Sequence, residues 1–313
     1  MPLVSVIIPV FNGEKTIKDT IESVLTQTVT DLELIVINDG SNDNTLSVIS
    51  PIDDSRLKLF SYANAGLAAS RNRGISQAAG KYISFIDADD LWTADKLEAQ
   101  IKALGANPKA GVAYSWTDWI DESGQFLRPG GHIIANGYVY DKLLLRDFIE
   151  GGSNVLVLAK AFAEVGGFDQ SLNAVEDWDM WLRLAARYEF VCVPSPQILY
   201  RISPNSMSTD VWKMETASLL VIEKAFAQSP EPLDYLKRQV LAERYKYFTF
   251  KSIEGRLERQ RGLTAMRFFW RAITNDPVWL LRPKIMSIIL FKIALATIFP
   301  SQQAYALLKR VKR

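Results

Sequence analysis

Three carboxylates, Asp87, Asp89 and Asp90, follow directly on the apolar run Tyr82-Ile83-Ser84-Phe85-Ile86. Acids this close repel one another, and their charge is costly unless a cation sits among them. Two arrangements answer that problem. A divalent metal holding a polyphosphate would supply the cation, and oxygen ligands suit Mg²⁺ or Mn²⁺. Alternatively, Asp89 and Asp90 cap a helix starting near Thr93, where the helix dipole favours negative charge. A second acidic group, Glu176-Asp177-Trp178-Asp179, lies far downstream. It reads either as first-turn charge on a helix or as the source of a general base beside a metal that assists a leaving group.

Three further groups could receive a nucleotide. In Pro9-Val10-Phe11-Asn12 an aromatic ring and an amide could meet a planar heterocycle. Asp39 is followed by Gly40-Ser41, which permits a tight turn that exposes the carboxylate. Arg71, in Gly66-Leu67-Ala68-Ala69-Ser70-Arg71-Asn72-Arg73-Gly74, could meet a phosphate or another acid. Each also has an ordinary explanation: a packed aromatic, a turn acid, a surface arginine.

The elements that would position these groups alternate between strand and helix patterns, as in an α/β sheet. Val4 to Val10 and Leu32 to Ile37 read as buried strands, and Ile17, Ile21, Val24 and Leu25 share one helical face. A short strand around Arg56 to Phe60, a helix over Gly66 to Ala79 and the strand into Asp87 complete this part. Polar clusters thus recur at strand ends, where open α/β sheets bind ligands. From about Gly111 the pattern turns to mixed strands and loops, with Trp178, Trp181, Leu182 and Ala185 on one helical face. Past Ser208 it reads as helices interrupted by prolines.

Bulk composition narrows the classes. The chain has 313 residues, 36 basic against 35 acidic, so no global charge recruits nucleic acid. The single cysteine, Cys192, sits in an apolar run and reads as a buried strand thiol, which excludes a disulfide framework. The single histidine, His132, reads as a loop residue in a Gly-rich stretch. Met1 leads straight into a strand with no basic leader, so a cytoplasmic location is expected. After Asp276 there is no acid, while Arg282, Lys284, Lys292, Lys309, Arg310, Lys312 and Arg313 are all basic. The apolar run Ile285 to Phe299 falls short of the roughly 20 residues that span a bilayer. It is either a buried bundle helix or a peripheral contact with anionic lipid at the inner face of the membrane.

Taken together, the ordered motifs resemble the inverting family 2 glycosyltransferases. Val6-Ile7-Ile8-Pro9-Val10-Phe11-Asn12, Ile37-Asn38-Asp39-Gly40-Ser41-Asn42-Asp43, Asn64-Ala65-Gly66 and Arg71-Asn72-Arg73-Gly74 carry the resemblance first. Phe85 to Asp90, Gly166-Gly167-Phe168-Asp169 and Glu176 to Asp179 continue it in the family's order. The resemblance implies a GT-A fold, a mixed and mostly parallel sheet flanked by helices. Its catalytic domain would span residues 1–210, with a nucleotide half to about 110 and an acceptor half beyond, and a helical region over 211–313. It implies that Pro9, Phe11 and Asn12 line the base pocket and that Asp39 binds the base, uracil in most relatives. Asn64, Arg71, Asp87 and Ala88 would face the nucleotide, and Asp89 would hold Mn²⁺ or Mg²⁺. Asp177 would be the catalytic base, and Glu176 and Trp178 would shape the sugar and acceptor site.

The implied reaction moves one sugar from a nucleotide-diphosphate donor, a UDP-sugar by expectation, to a hydroxyl of a glycan or lipid-linked acceptor with inversion. Two departures qualify this. Tyr200 to Ser208 lacks the late histidine that some relatives use as a metal ligand, and no Gln-x-x-Arg-Trp signature of processive synthases occurs. Rival readings are a sugar-nucleotide binder without turnover and a haloacid-type phosphatase, whose Asp-x-Asp also follows a strand. A nicotinamide dehydrogenase is disfavoured, because the first strand lacks Gly-x-Gly-x-x-Gly.

Overall fold

The computed structural model describes residues 1–203, 210–254 and 258–311. These residues fall into two compact units, Met1–Leu143 with Asp147–Ser206, and Leu144–Arg146 with Met207–Arg313.

The first unit opens with β1 (Val4–Val10), α1 (Ile17–Leu25), β2 (Leu32–Asn38), α2 (Thr45–Ile49), β3 (Leu57–Ser61), α3 (Leu67–Gln77) and β4 (Tyr82–Phe85). All four strands run parallel, with β1 between β2 and β4 and β3 outside β2. Every residue of β1 and β2 is buried, as expected of strands covered on both faces. Ile17, Ile21 and Val24 repeat at helical spacing and bury α1 against this core. On the other side α3 lies so close to β1 that a Cβ on Gly74 would come within 2.3 Å of Ile7 Cγ2.

The chain continues through β5 (Leu91–Trp92), α4 (Lys96–Ala106), β6 (Ala110–Ile120), β7 (Phe126–Pro129), α5 (Tyr140–Leu145), β8 (Leu156–Leu158), α6 (Ala159–Val165), α7 (Glu176–Ala185) and β9 (Glu189–Arg201). Among the described residues nine strands form one sheet, ordered β3-β2-β1-β4-β8-β6-β9-β5, with β7 on β6. Beyond β4 the sheet is mixed: β8 is antiparallel to β4 and β6, whereas β6 and β9 are parallel. This mixed sheet flanked by helices is the architecture the resemblance implied. Cys192 is a buried strand residue, as read from sequence.

One local expectation is corrected here. The helix placed near Thr93 begins at Lys96 and has Asp95 at its N-cap position. Between it and the acids stands β5, hydrogen-bonded to β9. Asp89 and Asp90 therefore do not cap that helix.

The second unit contains α8 (Val211–Ala227), α9 (Lys237–Ser252), α10 (Arg259–Asn275), α11 (Pro283–Ile298) and α12 (Ser301–Val311). The Asp210 side chain accepts hydrogen bonds from Trp212 N and Lys213 N and so starts α8. Phe268 packs with Tyr245, Phe248 and Trp212 to fill the centre. The late apolar run forms α11. Met286, Ile289 and Ile293 are buried, while Ile288, Leu290 and Ile298 face solvent. Among the described residues no helix is long and apolar enough to cross a membrane.

Candidate active site

The parallel strands deliver their polar ends to one edge of the sheet, and arginines organise what arrives there. Asp39, one residue past β2, is buried. Its carboxylate accepts from Ala65 N at 3.0 Å, Gly66 N at 2.8 Å and Arg73 Nη1 at 2.8 Å. Asn64 donates to Asp39 O at 2.9 Å. Gly40, at φ 76, makes the turn possible, because a Cβ there would press on Asn64 N at 3.0 Å. Asp39 thus ties the end of β2 to the start of α3, a structural task its sequence context did not reveal.

Phe11 and Asn12 sit beside it on the surface and Pro9 lies buried in β1. The Phe11 ring is 52 % exposed, an aromatic face open to solvent. Asn12 holds a left-handed backbone (φ 55), donates its N–H to Ser41 Oγ and accepts from Asn42 N through Oδ1. The loops after β1 and β2 are thereby locked together.

Arg71 is the organising residue of the acidic groups. It projects from α3, is 1 % exposed, and reaches Asp87 Oδ1 through Nη2 and Glu176 Oε1 through Nη1, each at 2.7 Å. The first acidic cluster and the second are joined by one guanidinium. Burial opposes charge on Arg71, but Asp87, Glu176 and Asp177 together hold its pKa above the ordinary value. Its plane also lies 5.3 Å from the Phe168 ring centroid. Phe168 in turn is fixed by Asn72, which donates to Phe168 O and accepts from Phe168 N.

The three acids after β4 divide their work. Asp87 keeps partial exposure and pairs with Arg71. Asp90 is wholly buried, accepting from Ser153 Oγ at 2.5 Å and from Arg201 N at 3.0 Å. Burial, then Asp89 and Asp87, push its pKa well up, so it is a structural acid. The Asp89 carboxylate makes no ion pair among the described residues, and its own backbone N–H is the donor that favours its charge. Burial and then the charge of Asp87 push its pKa up to about 6, against the pull of Arg201. Ala88 and Asp90 also lend their carbonyls to Thr20 Oγ1 of α1, at 3.0 and 2.8 Å.

Asp89 suits a divalent cation. Burial and the charge of Asp87 outweigh what its backbone hydrogen bond and Arg201 supply, and a cation relieves that. Among the described residues no set of three or more acid, His or Cys side chains could enclose a metal alone. An ion here would complete its shell from diphosphate oxygens and water, as Mg²⁺ commonly does.

Asp177 opens α7 and is partly exposed; its Oδ1 accepts from Trp178 N at 2.7 Å. The residue before the helix, Val175, has φ 54 and ψ 23, an outlying conformation for a β-branched side chain. Such strain, of order 1–3 kcal/mol, persists where surrounding structure imposes it, and active sites are common places for it. Burial, opposed by Arg71, pushes the Glu176 pKa up to about 7. Trp178, which the resemblance assigns to the sugar and acceptor site, is a buried residue of α7. It is 1 % exposed and its indole N–H donates to Leu143 O at 2.9 Å. Its backbone N–H donates to Asp177 Oδ1, and its side chain lies on the buried face of the helix.

Sequence reasoning missed Gly152, Ser153 and Arg201. A Cβ on Gly152 would lie 2.1 Å from Arg71 Nη2, so only glycine lets this strand of chain cross the guanidinium. Ser153 also accepts from Asp87 N at 2.9 Å. Arg201 donates to Asp89 O and to Glu122 O, both at 2.8 Å, and closes the acidic turn from β9. In the segment where a late histidine was sought, residues 204–208 lie outside the described residues.

Strand-end acids are thus gathered around a buried arginine at one edge of the sheet. Residues 5–252 match the family described as "Glycosyltransferase like family 2", and the chain belongs to that family. It is 36 % identical over 189 residues to an uncharacterized glycosyltransferase of Rickettsia bellii, a match covering 58 % of this chain and 27 % of that protein. The chain therefore spans about a quarter of the length of that relative. It is 34 % identical over 222 residues to the UDP-Glc:alpha-D-GlcNAc-diphosphoundecaprenol beta-1,3-glucosyltransferase WfgD of Escherichia coli, covering 67 % of this chain and 81 % of that one. Among solved structures, it shares its fold with the mannosyltransferase PcManGT of Pyrobaculum calidifontis in complex with GDP-Man and Mn²⁺. The TM-score is 0.58 at 17 % identity, over 95 % of this chain and 87 % of that one.

Proposed function

We propose that this protein transfers one sugar from a UDP-sugar to a hydroxyl of a lipid-linked glycan, with inversion at the anomeric carbon. One observation carries the reading: Arg71 joins Asp87 to Glu176, at 2.7 Å each, and Asp89 and Asp177 follow those two acids by two residues and by one. Asp89 would hold the divalent ion, which neutralises charge on the departing diphosphate. Phe11, Asn12, Asp39 and Asn64 receive the nucleoside, and Asp87 with Ala88 approaches the ribose. Asp177 takes the proton from the attacking hydroxyl as the new bond forms. The rigid Arg71 link fixes donor and base in line, and positioning of this kind is a large part of catalysis. The uracil preference is supported by WfgD, whose name specifies UDP-Glc. The PcManGT complex with GDP-Man makes guanine the competing base.

Calorimetry with UDP, GDP and their sugars, with and without Mn²⁺, tests the donor. Tight binding of UDP compounds with metal is expected; binding of GDP compounds alone would overturn the uracil assignment. Asp89→Ala is expected to weaken metal-dependent UDP binding at least about tenfold, since a direct carboxylate–cation contact is lost. Unchanged affinity in Mn²⁺ would remove Asp89 from the metal site.

A lipid-linked acceptor is supported by the second unit. On α10 Leu263, Met266 and Trp270 recur at helical spacing and are exposed, Trp270 by 65 %. Leu281 is 77 % exposed beside Arg282 and Lys284, in the part of the chain that has basic but no acidic residues. Apolar anchors set among cations suit the interface of anionic lipid. The full chain is expected to sediment with vesicles of phosphatidylglycerol and phosphatidylethanolamine (about 30:70), and less as salt rises. Trp270→Ser with Leu281→Ser should lower that binding about tenfold. Equal sedimentation of the double variant and wild type would exclude this face.

A further inference from the structure

We infer that His132, with Asp118 and Trp116, forms a subsite that binds the hydroxyls of the acceptor sugar. The inference rests on the transferase reading above and names the wall of its acceptor side.

His132 was expected to be a plain loop residue. Instead its ring stacks on Trp116 of β6, with centroids 4.6 Å apart and planes 9° from parallel. Its Nε2 lies 2.8 Å from Asp118 Oδ1. Facing the carboxylate, Nε2 carries the proton, so in the neutral ring Nδ1 is the acceptor. Nδ1 and Asp118 Oδ2 have no partner among the described residues, and the histidine side chain keeps 28 % exposure. A rigid, partly open ring edge beside a spare carboxylate oxygen is thus presented with its geometry already fixed.

Backbone strain marks the same place. Among the described residues four other than glycine have positive φ: Asn12, His132, Glu150 and Val175. Asn12 lies in the nucleotide loop and Val175 precedes Asp177, so two of the four flank groups already placed. The other two are tied to each other, because both Glu150 carboxylate oxygens accept from Gly131 N, at 2.9 and 3.0 Å. Left-handed conformations in such residues cost energy and persist where the surroundings enforce them.

Position connects the cluster to the acids. Asp118 is in register with Leu199 of β9, and Leu199 with Leu91 of β5, which follows Asp89 by two residues. Two inter-strand steps of about 4.8 Å put Asp118 roughly 10 Å from the end of the acidic turn. The chain from Glu150 to Ser153 covers the same gap, since Ser153 binds Asp90 and Glu150 binds Gly131.

Chemistry selects its class. The Asp118 carboxylate opposes a phosphate here but accepts a hydroxyl proton, while Nδ1 accepts another. A polyhydroxylated ring satisfies both, as binding sites fix a ligand's orientation with a few placed polar groups.

His132 is the only histidine of the chain, so its imidazole signals report on this subsite alone. The test is NMR of full-length, histidine-labelled protein with UDP and Mg²⁺. It is titrated with methyl glycosides of glucose, galactose, mannose, N-acetylglucosamine and N-acetylgalactosamine. At least one glycoside is expected to shift the His132 signals saturably, and Asp118→Asn should weaken that apparent affinity about tenfold with UDP affinity unchanged. If no glycoside moves the signals while UDP still binds, the subsite is wrong and the donor reading stands. If UDP with Mg²⁺ alone moves them as far, His132 belongs to the donor side and the inference falls. Failure of UDP to bind at all would instead count against the donor reading, and the glycoside shifts would still decide the subsite. A glycoside response unchanged in Asp118→Asn would overturn the assigned geometry.

Discussion

Asp177→Asn is expected to lower the transfer rate by about 10²–10⁴-fold, the range a positioned general base contributes. UDP-sugar affinity in Mg²⁺ should change little. The substitution is chosen because asparagine keeps the oxygen that accepts from Trp178 N at 2.7 Å. The start of α7 should therefore survive, and only the ability to take a proton is lost. Steady-state transfer and calorimetric donor affinity, measured together, separate the two effects. A variant that retains transfer within a few-fold of wild type would remove Asp177 from the base role.

Glu176 is the competitor, since burial raises its pKa to about 7, close to what a base working at neutral pH needs. Geometry argues against it: Glu176 is buried and already bound to Arg71 at 2.7 Å. Asp177 keeps partial exposure on the same helical turn.

The parts of this molecule that were legible in sequence are those with strong local patterns. β1 and β2 are uninterrupted apolar runs, and such runs have little choice but to be buried. α3 was visible from its flanking glycines, and Gly74 has the added reason that Ile7 packs against it. Illegible elements were those whose reason lies elsewhere in the chain. β5 has two residues, too few for any periodicity, and exists because β9 pairs with it. The structural role of Asp90 rests on Ser153 and Arg201, partners that no local pattern around Asp90 names.

Trp178 carries a different lesson. The spacing of Trp178, Trp181, Leu182 and Ala185 already described a buried face, and all four are buried. Burial is what the periodicity described; the role in the sugar and acceptor site is what the resemblance added to it. Arg71 was read as facing a phosphate or an acid, and it meets two acids at once. No single-sequence pattern reports that a residue in α3 will meet one in α7.

Arg71→Met should therefore have the largest effect on stability, about 3–5 kcal/mol, because it leaves carboxylates in a buried place without their cation. For a domain of this size that corresponds to a fall in Tm on the order of 10 °C. Methionine fills much of the volume, so the loss reports charge rather than a cavity. Arg71→Lys should recover little, since one ammonium cannot span Asp87 and Glu176 as the planar guanidinium does. The pH dependence identifies the cause. Glu176 already has a folded-state pKa raised to about 7 from its ordinary 4.5, and Arg71 is the group that holds it down. Without Arg71 that pKa rises further. An acid whose pKa is raised on folding contributes its full share to stability below the unfolded value and loses it as pH rises through the folded value. The deficit of Arg71→Met relative to wild type should be smallest near pH 4.5 and grow through pH 7 and above. Thermal melts at pH 5 and pH 8 measure it. A deficit equal at both pH values would mean that Arg71 stabilises by packing on Phe168 and that its two ion pairs contribute nothing net.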